Sequence, residues 1–70
     1  MSDELTTPDE ILKKALNKEI RARDFYAELA KQTSVEFVRE LLVTLQNEES
    51  KHIHMIQDMM GRLESGKNIV

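Results

Sequence analysis

The second half of the chain carries its apolar residues on a strict period. Val38, Leu42, Leu45, Glu49, His52, Ile56, Met59 and Leu63 follow one another at steps of 4, 3, 4, 3, 4, 3 and 4. That alternation keeps side chains on one seam of an α-helix. In the first half, Leu12, Ala15, Glu19, Ala22, Tyr26 and Leu29 do the same at steps of 3, 4, 3, 4 and 3. No stretch alternates with the period of two that a strand needs. The pattern predicts two long amphipathic helices and nothing else.

The punctuation agrees. Thr7-Pro8-Asp9-Glu10 is a helix start: Thr7 caps, Pro8 suits the first helical position and Glu10 completes a capping box. Nothing breaks a helix from there to Gln32. Thr33-Ser34-Val35-Glu36 repeats the capping signature after a very tight turn. The second helix is expected to weaken at Gly61 and stop near Gly66, a helix-ending residue type. The predicted layout is a disordered arm over 1–7, a helical hairpin over 8–66 (helix 1 about 8–32, helix 2 about 34–65) and a tail over 67–70.

Three ionisable residues, Glu19, Glu49 and His52, occupy seam positions that the pattern reserves for the core. With Thr33 as the turn, Glu19 and Glu49 lie ~21 and ~24 Å from it at 1.5 Å per residue, so they share one level. His52 stands on the same face, one turn above Glu49. An antiparallel hairpin therefore brings all three together, yet two helices leave one side of their seam open to water. Two hairpins close it as a four-helix bundle, and two-fold pairing gathers four Glu and two His in that core. Four buried carboxylates are prohibitive uncompensated; two divalent cations cancel their charge. The donor set, oxygen-rich with one imidazole per metal, suits Fe(II), Mn(II) or Zn(II). The alternative is a polar layer that fixes register in an interaction hairpin.

Composition narrows the classes further. Seventy residues with no cysteine exclude disulfides and Cys-based metal sites and leave metal or oligomerisation as the staple. Ten Lys plus Arg against 13 Asp plus Glu, a net charge of −3, argue against a nucleic-acid or acidic-membrane surface. The longest strictly apolar run, Leu41-Leu42-Val43, is too short to span a membrane. The acidic start lacks the features of a signal peptide, so the expectation is a cytoplasmic protein, free or held inside a protein compartment.

Neighbouring residues carry weaker expectations. Tyr26, one heptad from Glu19, is a candidate to donate a hydrogen bond or an electron at the metal layer, or is simply an amphipathic core residue. Arg23, four residues from Glu19, is placed to pair with it. Glu48 reads as a spare ligand or as a solvated residue pairing with Lys51 or Lys18. His54 reads as exposed, and Met55, Met59 and Met60 as core filling and oligomer contacts.

These residues resemble the ferritin-like di-iron carboxylate proteins. Glu19 with Tyr26 seven residues on looks like the first-helix signature of ferritins and bacterioferritins. Glu49-Ser50-Lys51-His52, inside Asn47-Glu48-Glu49-Ser50-Lys51-His52, looks like their second-helix Glu-x-x-His. One such helix pair per chain, with the Phe25-Tyr26 pair after Glu19, is similar to encapsulated ferritins and rubrerythrin-like proteins, whose two-helix chains dimerise to build the site. The resemblance spans roughly residues 9–64. It implies a ferritin-like four-helix bundle formed by dimerisation and two iron ions per dimer. It also implies Glu49 bridging, Glu19 as terminal carboxylate, His52 as terminal nitrogen ligand and Tyr26 nearby. The implied chemistry is ferroxidase-type oxidation of Fe(II) by dioxygen or peroxide, for iron detoxification or storage. The implied partners are a second copy of the chain and an iron-storage compartment shell. Encapsulated ferritins continue with a further helix and a targeting tail, whereas this sequence ends a few residues after Gly66, a departure from their pattern that bears on encapsulation and large-ring assembly. Without cysteine, the rubredoxin-like electron-transfer module of full rubrerythrins is not expected either. The alternatives to ferroxidase chemistry are a non-catalytic metal-binding module and a helical interaction or dimerisation module.

Overall fold

The computed structural model describes residues 6–69, with side chains described for 6–66. It is an antiparallel hairpin of two helices, α1 (Pro8–Gln32) and α2 (Glu36–Ile69), 25 and 34 residues long. At 1.5 Å per residue they run about 37 and about 51 Å. The start of α1 is as its sequence demands. The Thr7 hydroxyl accepts from the Glu10 amide at 3.2 Å and the Glu10 carboxylate accepts from the Thr7 amide at 3.2 Å, which closes a capping box behind Pro8.

The turn differs from expectation. Three residues, Thr33 to Val35, connect the helices, and Thr33 ends α1 in an extended conformation (φ −110°, ψ 142°). Its hydroxyl accepts from the Val35 amide at 3.1 Å instead of capping α2. The first helical carbonyl is that of Val35, which accepts from Val38 and Arg39 at 3.1 and 3.0 Å. The second capping box therefore does not form, because α2 starts two residues too late for Thr33 to reach its third amide.

Arg39 holds the corner. Its guanidinium donates to the Thr33 carbonyl at 2.6 Å and the Ala30 carbonyl at 3.3 Å, and pairs with the Glu36 carboxylate at 2.8 Å. The last turn of a helix leaves carbonyls without intrahelical partners. A cation there also suits the negative end of the helix dipole.

The far end of α2 is a second difference. The helix passes through Gly61 and Gly66 to Ile69, so residues 67–69 are helical and the expected stop at Gly66 is corrected. No glycine adopts a positive φ, so the left-handed turn that makes glycine a stop is absent. Residues 1–5 and Val70 of the expected arm and tail lie outside the described residues.

The hairpin is a single layer, 12 Å thick. Among the described residues only Ala30, near the turn on α1, and Ile53, one residue after His52 on α2, are buried. Ile11, Phe25, Phe37, Leu41, Met55 and Met59 are exposed. Among the described residues no helix is long and apolar enough to cross a membrane.

Candidate metal centre

Glu19 comes from the middle of α1, and Glu49 and His52 come from adjacent turns of α2. The three meet because both helices run without a break from a three-residue turn, which fixes their register. His52 Nδ1 lies 3.1 Å from Glu19 Oε1 and 3.3 Å from Glu49 Oε1. One ligand atom from each residue falls within 4.8 Å of the others. The carboxylates are largely covered, with side chains 19% and 17% exposed, while the imidazole is 46% exposed. The cluster thus sits in the wall of the hairpin and opens sideways. A shallow groove lined by Thr7, Asp9, Lys13 and Leu63 lies at the end remote from the turn and takes no part in it.

The three groups titrate together. A hydrogen bond from the Glu49 carboxyl, then one from His52, holds Glu19 below its ordinary value of 4.5. Sharing that bond with Glu19 raises Glu49 above 4.5, with partial burial adding to it. Hydrogen bonds to Glu19 and then to Glu49 raise His52 above 6.5. Two carboxylates this close do not both stay ionised without a cation between them. The crowding favours the protonated forms of Glu49 and His52.

Several neighbours fall elsewhere than the sequence suggests. Arg23 pairs with Asp24 at 3.1 Å, not with Glu19, whose carboxylate is taken by His52 and Glu49. Glu48 is exposed and, among the described residues, pairs with neither Lys51 nor Lys18. His54 is exposed, as its polar face requires. Tyr26 is half-buried against the ring of Phe25 (centroids 5.9 Å apart), and its hydroxyl makes no hydrogen bond to the cluster among the described residues. The residue that the sequence reading missed is Arg39; an arginine one turn inside a helix that follows a three-residue turn is the signal that could have found it.

A family model described as Rubrerythrin matches residues 10–70. The chain belongs to the rubrerythrin family. The match takes in both helices and every residue of the cluster, so this rubrerythrin-family hairpin belongs to a ferritin-like, di-iron carboxylate lineage, and iron binding is the family's implication. No curated protein and no solved structure matches the chain.

The residues present fit such a metal. Two carboxylates and one imidazole, with no sulfur, are a donor set for Fe(II), Mn(II) or Zn(II). Glu19 from α1 and Glu49 and His52 from α2 bring that set to one level. Three donors are fewer than any of these ions takes, and the cluster is open on one side.

Proposed function

We propose that two copies of this rubrerythrin-family hairpin form a four-helix bundle whose core oxidises Fe(II) at a shared site. Glu19, Glu49 and His52 from each copy hold two ions per dimer. The observation that carries the reading is the cluster itself: donors from both helices at one level, with their ligand atoms within 4.8 Å of one another. A second copy supplies the missing donors. The six side chains then match the Glu-from-two-helices and Glu-x-x-His-from-two-others arrangement of bundle-core metal sites.

Fe(II) is the substrate. Two Fe(II) give up one electron each; dioxygen takes two electrons and two protons and leaves as hydrogen peroxide. With peroxide as oxidant, the same two electrons and two protons give two waters. Glu49, from α2, would hold the ions between the two copies, and any proton it carries would leave on binding. Glu19, already the stronger acid, holds one ion from α1. His52 must lose its proton before its ring nitrogen can bind. Tyr26, one heptad below Glu19 and half-buried, is the candidate to donate a hydrogen bond at the metal layer. A dimer has no cavity for mineral, so storage requires a surrounding compartment shell; detoxification does not.

The test is iron content per chain after anaerobic Fe(II) loading and desalting, followed by dioxygen uptake. The expected result is about one iron per chain, lost in Glu49→Ala together with oxidation. Tyr26→Phe keeps the iron and slows oxidation. Undiminished oxidation in Glu49→Ala removes the proposal. Retained metal with no oxidant consumption reduces it to a metal-binding module.

A further inference from the structure

The open face of the hairpin carries a repeated pattern that the metal cluster does not use. Ile11, Lys18 and Phe25 stand seven residues apart on α1, and Leu41, Glu48 and Met55 stand seven apart on α2. Each immediately precedes a seam residue. In two antiparallel right-handed helices, the position before the seam swings to the same side of the hairpin on both. Seven residues are two turns with little drift, so the two triplets form parallel rows on one face. Phe37 precedes Val38 and extends the α2 row toward the turn. The apolar members are exposed by between 53% (Ile11) and 75% (Phe37).

At the middle of each row the apolar residue is replaced by a charge, positive on α1 and negative on α2. The hydrogen-bonded Glu19–His52–Glu49 cluster fixes the relative height. Lys18 and Glu48 directly precede Glu19 and Glu49, so they stand level with the site. Both are exposed, and among the described residues neither has an ion-pair partner within its chain.

A second copy can be laid on this face in two ways. With α1 over the partner's α1, Lys18 meets Lys18 of the partner subunit and Glu48 meets Glu48 of the partner subunit, at the level where the carboxylates already crowd. With α1 over the partner's α2, each Lys18 meets Glu48 of the partner subunit, and Ile11 and Phe25 meet the exposed Leu and Met positions seven residues to either side. Two-fold symmetry makes each such pair occur twice. We infer that the hairpin dimerises in the second way, and that reciprocal pairs between Lys18 and Glu48 of the partner subunit select this alignment and bring the two halves of the site to one level. The inference rests on the shared-site reading above and names how its partner docks. Like charges across an interface are strongly disfavoured, and complementary ones set register.

The experiment uses full-length Lys18→Glu and Glu48→Lys chains, one isotopically labelled, with homodimer dissociation measured by sedimentation and mixtures read by native mass spectrometry. Each single variant places like charges together twice, and its homodimer weakens by about tenfold or more. Mixed, one chain brings two acids and the other two lysines, both contacts become complementary, and heterodimers exceed the statistical half. A pairing confined within one chain gives no such preference. The double variant Lys18→Glu/Glu48→Lys keeps both contacts with signs exchanged and dimerises as the unsubstituted chain does, which controls for folding. Statistical mixing, single variants as tight as the unsubstituted chain, a double variant that fails to dimerise or an unsubstituted chain that stays monomeric each overturns the pairing. Iron content is read on the same species. Iron-loaded dimers that mix statistically overturn the pairing and leave the shared site. Charge-selective heterodimers that hold no iron overturn the shared site and leave the pairing.

Discussion

Glu19, Glu49 and His52 were legible as a cluster because each interrupts an apolar period, and an interrupted period is visible in sequence alone. Their protonation was not, because it depends on distances of 3.1 and 3.3 Å that no spacing rule gives. Those distances set a pH dependence for the metal-free protein. His52 binds its proton more tightly folded than unfolded, so its contribution is complete below about pH 6.5 and is lost as pH rises through the higher folded value. Glu49, also raised, acts with the same sign from about pH 4.5 upward. Glu19, lowered, contributes above about pH 4.5 and loses that contribution as pH falls through its folded value. Above the raised folded values of Glu49 and His52 the metal-free hairpin is left with uncompensated acids and no imidazolium, while a divalent ion no longer competes with protons. The shift in melting temperature on adding Zn(II), which is redox-silent, is expected to be larger at about pH 8 than at about pH 6. An equal or smaller shift at the higher pH means that the three groups do not bind the ion together.

At the scale of elements, helix identity and the tight turn could be read because Thr7-Pro8-Asp9-Glu10 and the apolar periods are local signals. The join could not, since it depends on Arg39 reaching back 9 and 6 residues to the carbonyls of Ala30 and Thr33. The glycine at position 66 misled for a related reason: a glycine ends a helix only where the chain turns left-handed, and here it stays helical. Arg39 makes a prediction about register. It is half-exposed, so its pair with Glu36 adds little, but its two bonds to helix-end carbonyls have no substitute within the turn. Arg39→Ala is expected to cost about 1–2 kcal/mol in denaturant titrations at fixed protein concentration. Glu36→Gln, which removes only the exposed ion pair, costs under about 0.5 kcal/mol. Equal losses in the two variants assign the effect to the ion pair and not to the corner. Because the corner sets the height of Glu19 against Glu49, Arg39→Ala also weakens metal affinity, whereas Glu36→Gln does not.

At the scale of the whole molecule, a slab 12 Å thick with two buried residues among those described holds little core. Under the proposed function a second copy and metal would both add stability through the same residues, and the two contributions separate by substitution. Glu19→Leu, Glu49→Leu and His52→Ile together restore the apolar period on both helices. If the polar layer exists for metal, its removal relieves the crowded carboxylates. The metal-free triple variant then melts higher than the metal-free parent at equal protein concentration, and its midpoint rises with concentration as a dimer's does. The parent gains stability from divalent metal, about 2.7 kcal/mol at a hundredfold excess over the dissociation constant, and the variant gains none. If the layer existed to fix register in an interaction hairpin, the variant would also be more stable, but metal would leave the parent's melting point unmoved and the variant would populate mixed oligomers. The response of the parent to metal, measured beside the variant's oligomeric state, separates a chemical reason for the three ionisable residues from an architectural one.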